Sequence, residues 1–248
     1  MKPIPGTLQE GGAAFQTTHW TVVLRVREAE SVQSAQALAT FCEAYWPPLY
    51  AFVRRRGYSP PDAQDLVQGF FGYVLAKETL SRADREKGRL RTFLLTSLQN
   101  FLMDERDRSR TKKRGGGHQI VSIDEHLVEV EASMMDTAHL GDSRCYDLVW
   151  ASNTMKRAWQ HLENAFEAEG KTEQFEVLRP FVSGGGSTLP NQEEAAEKLG
   201  VPIATLRTWL LRVRQRYREA LRMEVGSTVS DPADVDQELR YLYQILMA

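Results

Sequence analysis

The sequence predicts an all-α protein. Apolar residues return at three- and four-residue steps through nearly every segment, the spacing of one helix face, and no long stretch alternates Val, Ile or Thr with polar residues as a half-buried strand does. The breaks between periodic segments fall at Gly- and Pro-containing stretches, the strongest local punctuation in a chain.

Taken in order, residues 1–15 hold Pro3, Pro5, Gly6, Gly11 and Gly12 and read as loose chain. Thr17 or Thr18 can cap a first helix carrying Trp20, Val23 and Leu24. A second helix runs over 35–45 with Leu38, Phe41 and Cys42 inward. Pro47 and Pro48 are expected to interrupt it, and 49–56 to resume as a helix ended by Gly57. Ser59 caps the next helix, a proline fits its first turn, and Asp62 sits near the positive helix end.

The segment 62–77 divides into two faces. Leu66, Val67, Phe70, Phe71, Val74 and Leu75 form a wide apolar face, while Asp65, Gln68, Gly69 and Gly72 form a stripe of acidic, polar and very small residues at i, i+3, i+4 and i+7. Glycine inside a helix costs about 1 kcal/mol relative to alanine. Close approach of a partner helix would offset that. The plainer alternative is that Asp62 and Asp65 only complement the helix dipole and the glycines only relieve crowding.

Residues 82–91 are charged and mostly basic around Gly88. Residues 92–110 are again helical, with Leu90, Phe93, Leu94, Leu98, Phe101 and Leu102 inward and Thr92, Thr96, Gln99, Asn100, Met103, Arg106 and Arg110 on the exposed side. Arg106, Arg108, Arg110, Lys112, Lys113 and Arg114 follow one another with Asp107 as the one acid among them. A basic run also complements a helix C-terminus, but this one exceeds that need and points to phosphate contact. Residues 115–143 lack sustained periodicity and turn acidic, the character of a linker. Helices are expected over 146–168 and 172–182, a break over 226–232, and a last helix over 233–247 with Val235, Leu239, Leu242, Ile245 and Leu246 apolar.

The most specific stretch is 191–222, NQEEAAEKLGVPIATLRTWLLRVRQRYREALR. A short helix with Ala195, Ala196 and Leu199 on one face ends at Gly200, the residue that closes helices in a left-handed cap. Val201 is a small apolar turn residue, and Pro202 suits the first turn of the helix that follows. That helix places Ile203, Leu206, Leu210, Val213, Tyr217 and Leu221 on one face and Arg207, Arg212, Arg214, Arg216, Arg218 and Arg222 on the others, with Glu219 the one acid before Glu224. An Arg-rich second helix behind a Gly turn is the pattern of a DNA-reading helix-turn-helix. An amphipathic hairpin with a solvated basic face is the bland reading, but such a face normally interleaves acids with its bases.

Composition narrows the classes. The formal net charge is −2 over 248 residues, so nucleic-acid binding must rest on local patches. Cys42 and Cys145 are far apart with no CxxC spacing, which suits reduced thiols. The five histidines stand at no metal-ligand spacing, so neither metal nor cofactor is expected, and no carboxylate or histidine cluster suggests an enzyme. Without an apolar run of membrane-spanning length or a signal peptide, the expectation is a cytoplasmic protein that does not insert in membranes.

Three segments together resemble a bacterial RNA polymerase sigma factor of the sigma-70 family, extracytoplasmic-function branch. EAYWPPLYAFVRRRGYSPPDAQDLVQGFF (43–71) is similar to the helix pair of sigma domain two, GRLRTFLLTSLQNFLMDERDRSR (88–110) to the promoter-melting helix after it, and EEAAEKLGVPIATLRTWLLRVRQRYREAL (193–221) to the helix-turn-helix of sigma domain four. The resemblance implies a domain-two-like body over 15–114, a linker over 115–143, a domain-four-like body over 144–225 and a C-terminal extension over 226–248. It implies core RNA polymerase docking through Asp62, Asp65, Gln68 and Gly69. It places Lys87, Arg89, Arg91, Gln99, Asn100, Arg106 and Arg110 near the minus-ten promoter element, and Thr205, Arg207, Thr208, Arg212, Arg214 and Arg216 at the minus-thirty-five element. Core polymerase and promoter DNA are then the expected partners, and an anti-sigma protein is a partner such factors admit. The family commonly has an acid at Gly69, a Trp at Phe93, a capping Ser or Thr at Pro202 and an Arg at Trp209. The alternative is a stand-alone helix-turn-helix regulator that binds duplex DNA without polymerase and needs a dimer with paired half-sites.

Overall fold

The computed structural model describes residues 32–75, 89–111, 130, 141–182 and 191–247. The described residues are helical, with no strand among them. In chain order the helices are α1 (Val32–Arg55), α2 (Pro60–Leu75), α3 (Leu90–Thr111), α4 (Asp142–Ala168), α5 (Thr172–Leu178), α6 (Gln192–Lys198), α7 (Ile203–Thr228) and α8 (Val235–Met247). Short 3₁₀ turns at Arg179–Phe181 and Pro232–Asp234 follow α5 and precede α8. The helix expected near Thr17 and nearly all of the 115–143 linker lie outside the described residues.

Pro47 and Pro48 do not interrupt α1, which runs unbroken through both. A proline removes the donor that would bond the carbonyl four residues back, here those of Glu43 and Ala44. The buried Asn153 amide of α4 donates to both, at 3.2 Å to the Glu43 carbonyl and 3.0 Å to the Ala44 carbonyl. One side chain on a distant helix thus replaces both lost intrahelical bonds. Phe41, Tyr45, Leu49, Phe52 and Val53 along α1 are fully buried.

Ser59 opens α2 as expected, its Oγ accepting from the Asp62 N–H at 3.3 Å and donating to the Asp62 carboxylate at 2.5 Å. α2 packs on α1 through Trp46 stacked on Phe71, with centroids 5.7 Å apart, and on α3 through Phe70 and Tyr73 against Phe101. α4 is the longest element, 27 residues or about 40 Å. Its first half lies against α1 and its second half against α5 and α7.

The apolar interior forms two clusters, and neither boundary coincides with the 115–143 linker. The larger joins α1, α2, α3, the first half of α4, the second half of α7, and α8. The smaller joins the second half of α4, α5, α6 and the first half of α7. Cys145, Tyr146, Val149 and Trp150, at the start of the region expected to form the second body, are core residues of the first cluster.

Two other expectations shift. The helix from residue 172 ends its α-form at Leu178 and tightens into the 3₁₀ turn that contains Pro180. The break after Arg222 does not begin at Gly226; α7 continues to Thr228, with Val225 and Thr228 buried. The tertiary contact of that last turn overrides the weak helix propensity of glycine.

Candidate functional site

The helix-turn-helix forms as its sequence demands. The Asn191 side chain caps α6 by accepting from the Glu193 N–H at 2.9 Å. Gly200 takes φ +64°, and the Val201 and Gly200 amides close back on the Ala196 and Glu197 carbonyls, a left-handed helix end that favours glycine. Pro202 stands just outside α7, in extended conformation, as its N-cap. Ala195 and Ala196 of α6 and Leu206, Leu210 and Val213 of α7 bury together with Phe175 and Leu178 of α5, which fixes α7 on its support.

The six α7 residues expected at DNA divide by what holds them. Arg207, Thr208 and Arg212 are exposed and share the outward face. Leu211, not expected there, is 66% exposed in their midst. Thr205 is half-buried at the edge of the ridge. Arg214 is exposed and Arg216 half-buried, and each is engaged by another part of the protein. Arg214 donates to the Phe181 carbonyl at 3.2 Å, and Arg216 pairs with Glu169 at 2.7 Å while covering the Phe166 ring. Lys171 and Arg216 together hold the Glu169 carboxyl below the usual glutamate range. The outward ridge is therefore Arg207, Thr208, Leu211 and Arg212, with Gln192 of α6 accepting from Arg207 Nε at 3.2 Å.

On α2, Asp65, Gln68, Gly69 and Gly72 form an exposed stripe. Asp62 is exposed too, but its carboxylate is engaged by the Ser59 hydroxyl. No side chain of the described residues comes within 4 Å of where a Gly72 Cβ would stand, while a Gly69 Cβ would meet the Phe101 ring at 3.4 Å. An open groove of about 460 Å³ runs along the stripe between Asp65, Gly69 and Tyr73 of α2 and Phe101, Glu105 and Arg108 of α3. The α3 wall of this groove was not legible from the periodicity of α2.

The residues expected at the minus-ten element are not brought together. Lys87 lies outside the described residues, and Arg110 is in the last turn of α3 with its side chain outside them. Gln99 is half-buried, Asn100 and Arg106 are exposed, and Arg106 lines a second hollow with Arg56, Tyr58 and Met103. Arg89 and Arg91 lie at the other end of α3, about 22–26 Å from Arg106 along the helix. Arg91 is buried beneath α8, and Arg89, half-buried, pairs with it.

Arg91 is 6% exposed and Glu238 of α8 is 1% exposed. Arg91 Nε donates to Glu238 Oε1 at 2.6 Å and Nη1 to Asp147 Oδ1 of α4 at 2.8 Å. The Arg91 guanidinium lies 4.0 Å from the centre of the Tyr241 ring and 5.1 Å from that of Trp150. Arg89 Nε stands 2.8 Å from Glu238 Oε2 but off the hydrogen-bonding direction, an ion pair rather than a directed bond. Tyr241 donates to Asp147 Oδ2 at 2.8 Å, and Tyr146 to the Arg91 carbonyl at 3.0 Å. Burial alone would lower the Arg91 pKa, but the bond to Glu238 and the Glu238 and Asp147 charges outweigh it and the net shift is upward. Burial first, and then the bond to Asp147, push the Tyr241 hydroxyl up. The acids that close this site are 56 and 147 residues from Arg91 in sequence, beyond the reach of any local pattern.

Among the described residues no cluster of His, Cys, Asp and Glu could hold a metal ion, and no helix is long and apolar enough to cross a membrane. No protein-family model, curated protein or solved structure matches the chain.

Proposed function

We propose that this chain is a promoter-specificity subunit. It docks on bacterial core RNA polymerase through the α2 stripe and places α7 in the major groove of promoter DNA. The observation that carries the reading is the α6–Gly200–α7 unit, which presents Arg207, Thr208, Leu211 and Arg212 on one outward ridge while its opposite face is fixed in a core of its own. A helix supported in this way is the reading element of DNA-binding helix-turn-helix proteins. The groove beside Asp65 and Gly69 supports the polymerase half, because an acidic, glycine-lined surface backed by aromatic rings suits the close approach of a partner helix.

The test is capture of purified bacterial core polymerase by the full chain and by Asp65→Arg. Asp65 is exposed on a helix that arginine also favours, so the fold should survive. Stoichiometric capture by the unmodified chain and at least about tenfold weaker capture by the variant, about 1.4 kcal/mol, is the expected result. Equal capture by both removes the docking role from α2. The stand-alone regulator draws on the pairing of Arg89 and Arg91 with α8, while Arg207 and Arg212 stay exposed on the α7 ridge. It would show itself as salt-sensitive binding to duplex DNA with no polymerase captured at all.

A further inference from the structure

The joint between α3 and α8 gathers more buried charge than the other helix contacts among the described residues. The helices meet mostly through Leu, Val, Phe and Trp, with one carboxylate, Glu224, buried between α4 and α7; here two arginines, two carboxylates and a tyrosine are gathered at one joint. Burying such a group gains little stability over an apolar replacement, so its chemistry calls for another account. The arrangement has the form of an occupied binding site. Glu238 presents one carboxylate to two guanidinium groups, the geometry in which arginine also grips a phosphate. The Tyr241 ring has its centre 4.0 Å from the Arg91 guanidinium, the place a stacked base would take, and Trp150 backs the same guanidinium at 5.1 Å from the body of the protein.

We infer that α8 is an internal ligand: Glu238 and Tyr241 fill, in place of a phosphate and an unstacked base, a single-stranded nucleic-acid site made by Arg89, Arg91 and Trp150. The inference rests on the function proposed above, in which single-stranded DNA arises when the promoter opens. The construction of α8 suits displacement. It is 13 residues long, too short to be stable as an isolated helix, and it is held by its seat on α4 and α7 and by the exposed Arg222–Asp236 pair. Val235 and Leu242 are its fully seated apolar side chains, with Leu239 and Ile245 partly covered, while Tyr243, Leu246 and Met247 are exposed. Release would therefore melt α8 and uncover both arginines in one step.

The test is the affinity of the full chain for a labelled single strand of about 20 thymidylates, long enough to span a groove of ~4–16 nucleotides, measured by fluorescence anisotropy. Glu238→Gln keeps the shape of the side chain and removes its charge. It should bind at least about tenfold tighter than the unmodified chain, a change of about 1.4 kcal/mol, and adding Arg89→Ala and Arg91→Ala should abolish the gain. Unchanged affinity in Glu238→Gln, or a gain that survives loss of both arginines, overturns the inference. Should Glu238→Gln lose its helical circular dichroism, Tyr241→Leu at a half-exposed position replaces it: several-fold tighter binding is expected, and unchanged binding overturns. Hydrogen exchange on the unmodified chain at saturating strand should show α8 losing protection. An α8 that stays protected with the strand bound also overturns the inference. Polymerase capture separates the two readings. Capture with no Glu238 effect sinks the internal ligand alone, whereas an Arg91-dependent gain without capture keeps the site and sinks the promoter subunit.

Discussion

At the scale of single residues, the least conspicuous side chain has the largest structural consequence. Asn153 is one polar position in a long helix, and the Pro47-Pro48 pair reads locally as a helix break. The break is cancelled because the Asn153 amide reaches two carbonyls about 110 residues away in sequence. Nothing in either neighbourhood announces the other, so this part of the fold was not legible. Removing the amide leaves two carbonyls without these donors, and each buried group left unpaired costs about 1–3 kcal/mol. Asn153→Ala should therefore destabilise the chain by about 2–4 kcal/mol, measured as a lowered urea midpoint at unchanged slope. A loss no larger than the ~0.5 kcal/mol of an ordinary surface substitution would mean that α1 holds its course without this bond.

At the scale of elements, legibility follows the range of the interactions. The α6–α7 turn depends on Gly200 and on apolar spacing within 30 residues, and it forms where the sequence places it. The cap of α2 by Ser59 is equally local. What the sequence of α7 alone does not reveal is which arginines face outward, because the partners of Arg214 and Arg216 belong to the turn after α5 and to the end of α4. That sorting sharpens the expectation for DNA reading. Arg207→Ala should relax preference at one or two base pairs and cost about 1–3 kcal/mol on the preferred sequence, the range of a bidentate guanine contact. The measurement is competition binding over a randomised duplex library, in the polymerase complex. A uniform loss across all sequences would make Arg207 a phosphate contact. Arg216→Ala serves as the contrast, since it releases Glu169 and should act on stability rather than on sequence preference.

At the scale of the whole molecule, the two long helices α4 and α7 decide how the halves communicate. Each contributes one half to the larger cluster and the other half to the smaller, so neither cluster is complete without the stem of its neighbour. Arg157 of α4 reinforces the shared seam by pairing with Glu224 of α7 at 3.0 Å, and His161 adds a contact to the same carboxylate at 2.7 Å. The linker composition of 115–143 marked where the chain changes character, but composition carries no information on which core a later helix joins; Trp150 and Tyr146 look alike for either. Helices continuous across two cores transmit unfolding between them, because fraying one end removes the packing that holds the other. A chain of 248 residues could unfold in two steps, yet this architecture predicts one. Phe175→Ala, a buried deletion in the smaller cluster worth about 3–5 kcal/mol, should lower hydrogen-exchange protection in α1 and α3 along with that in α6. If protection in α1 and α3 stays at its original level while α6 opens alone, the helices bridge two independent bodies. Displacement of α8 would then be felt by α3 and the second half of α7 without reaching the α7 ridge.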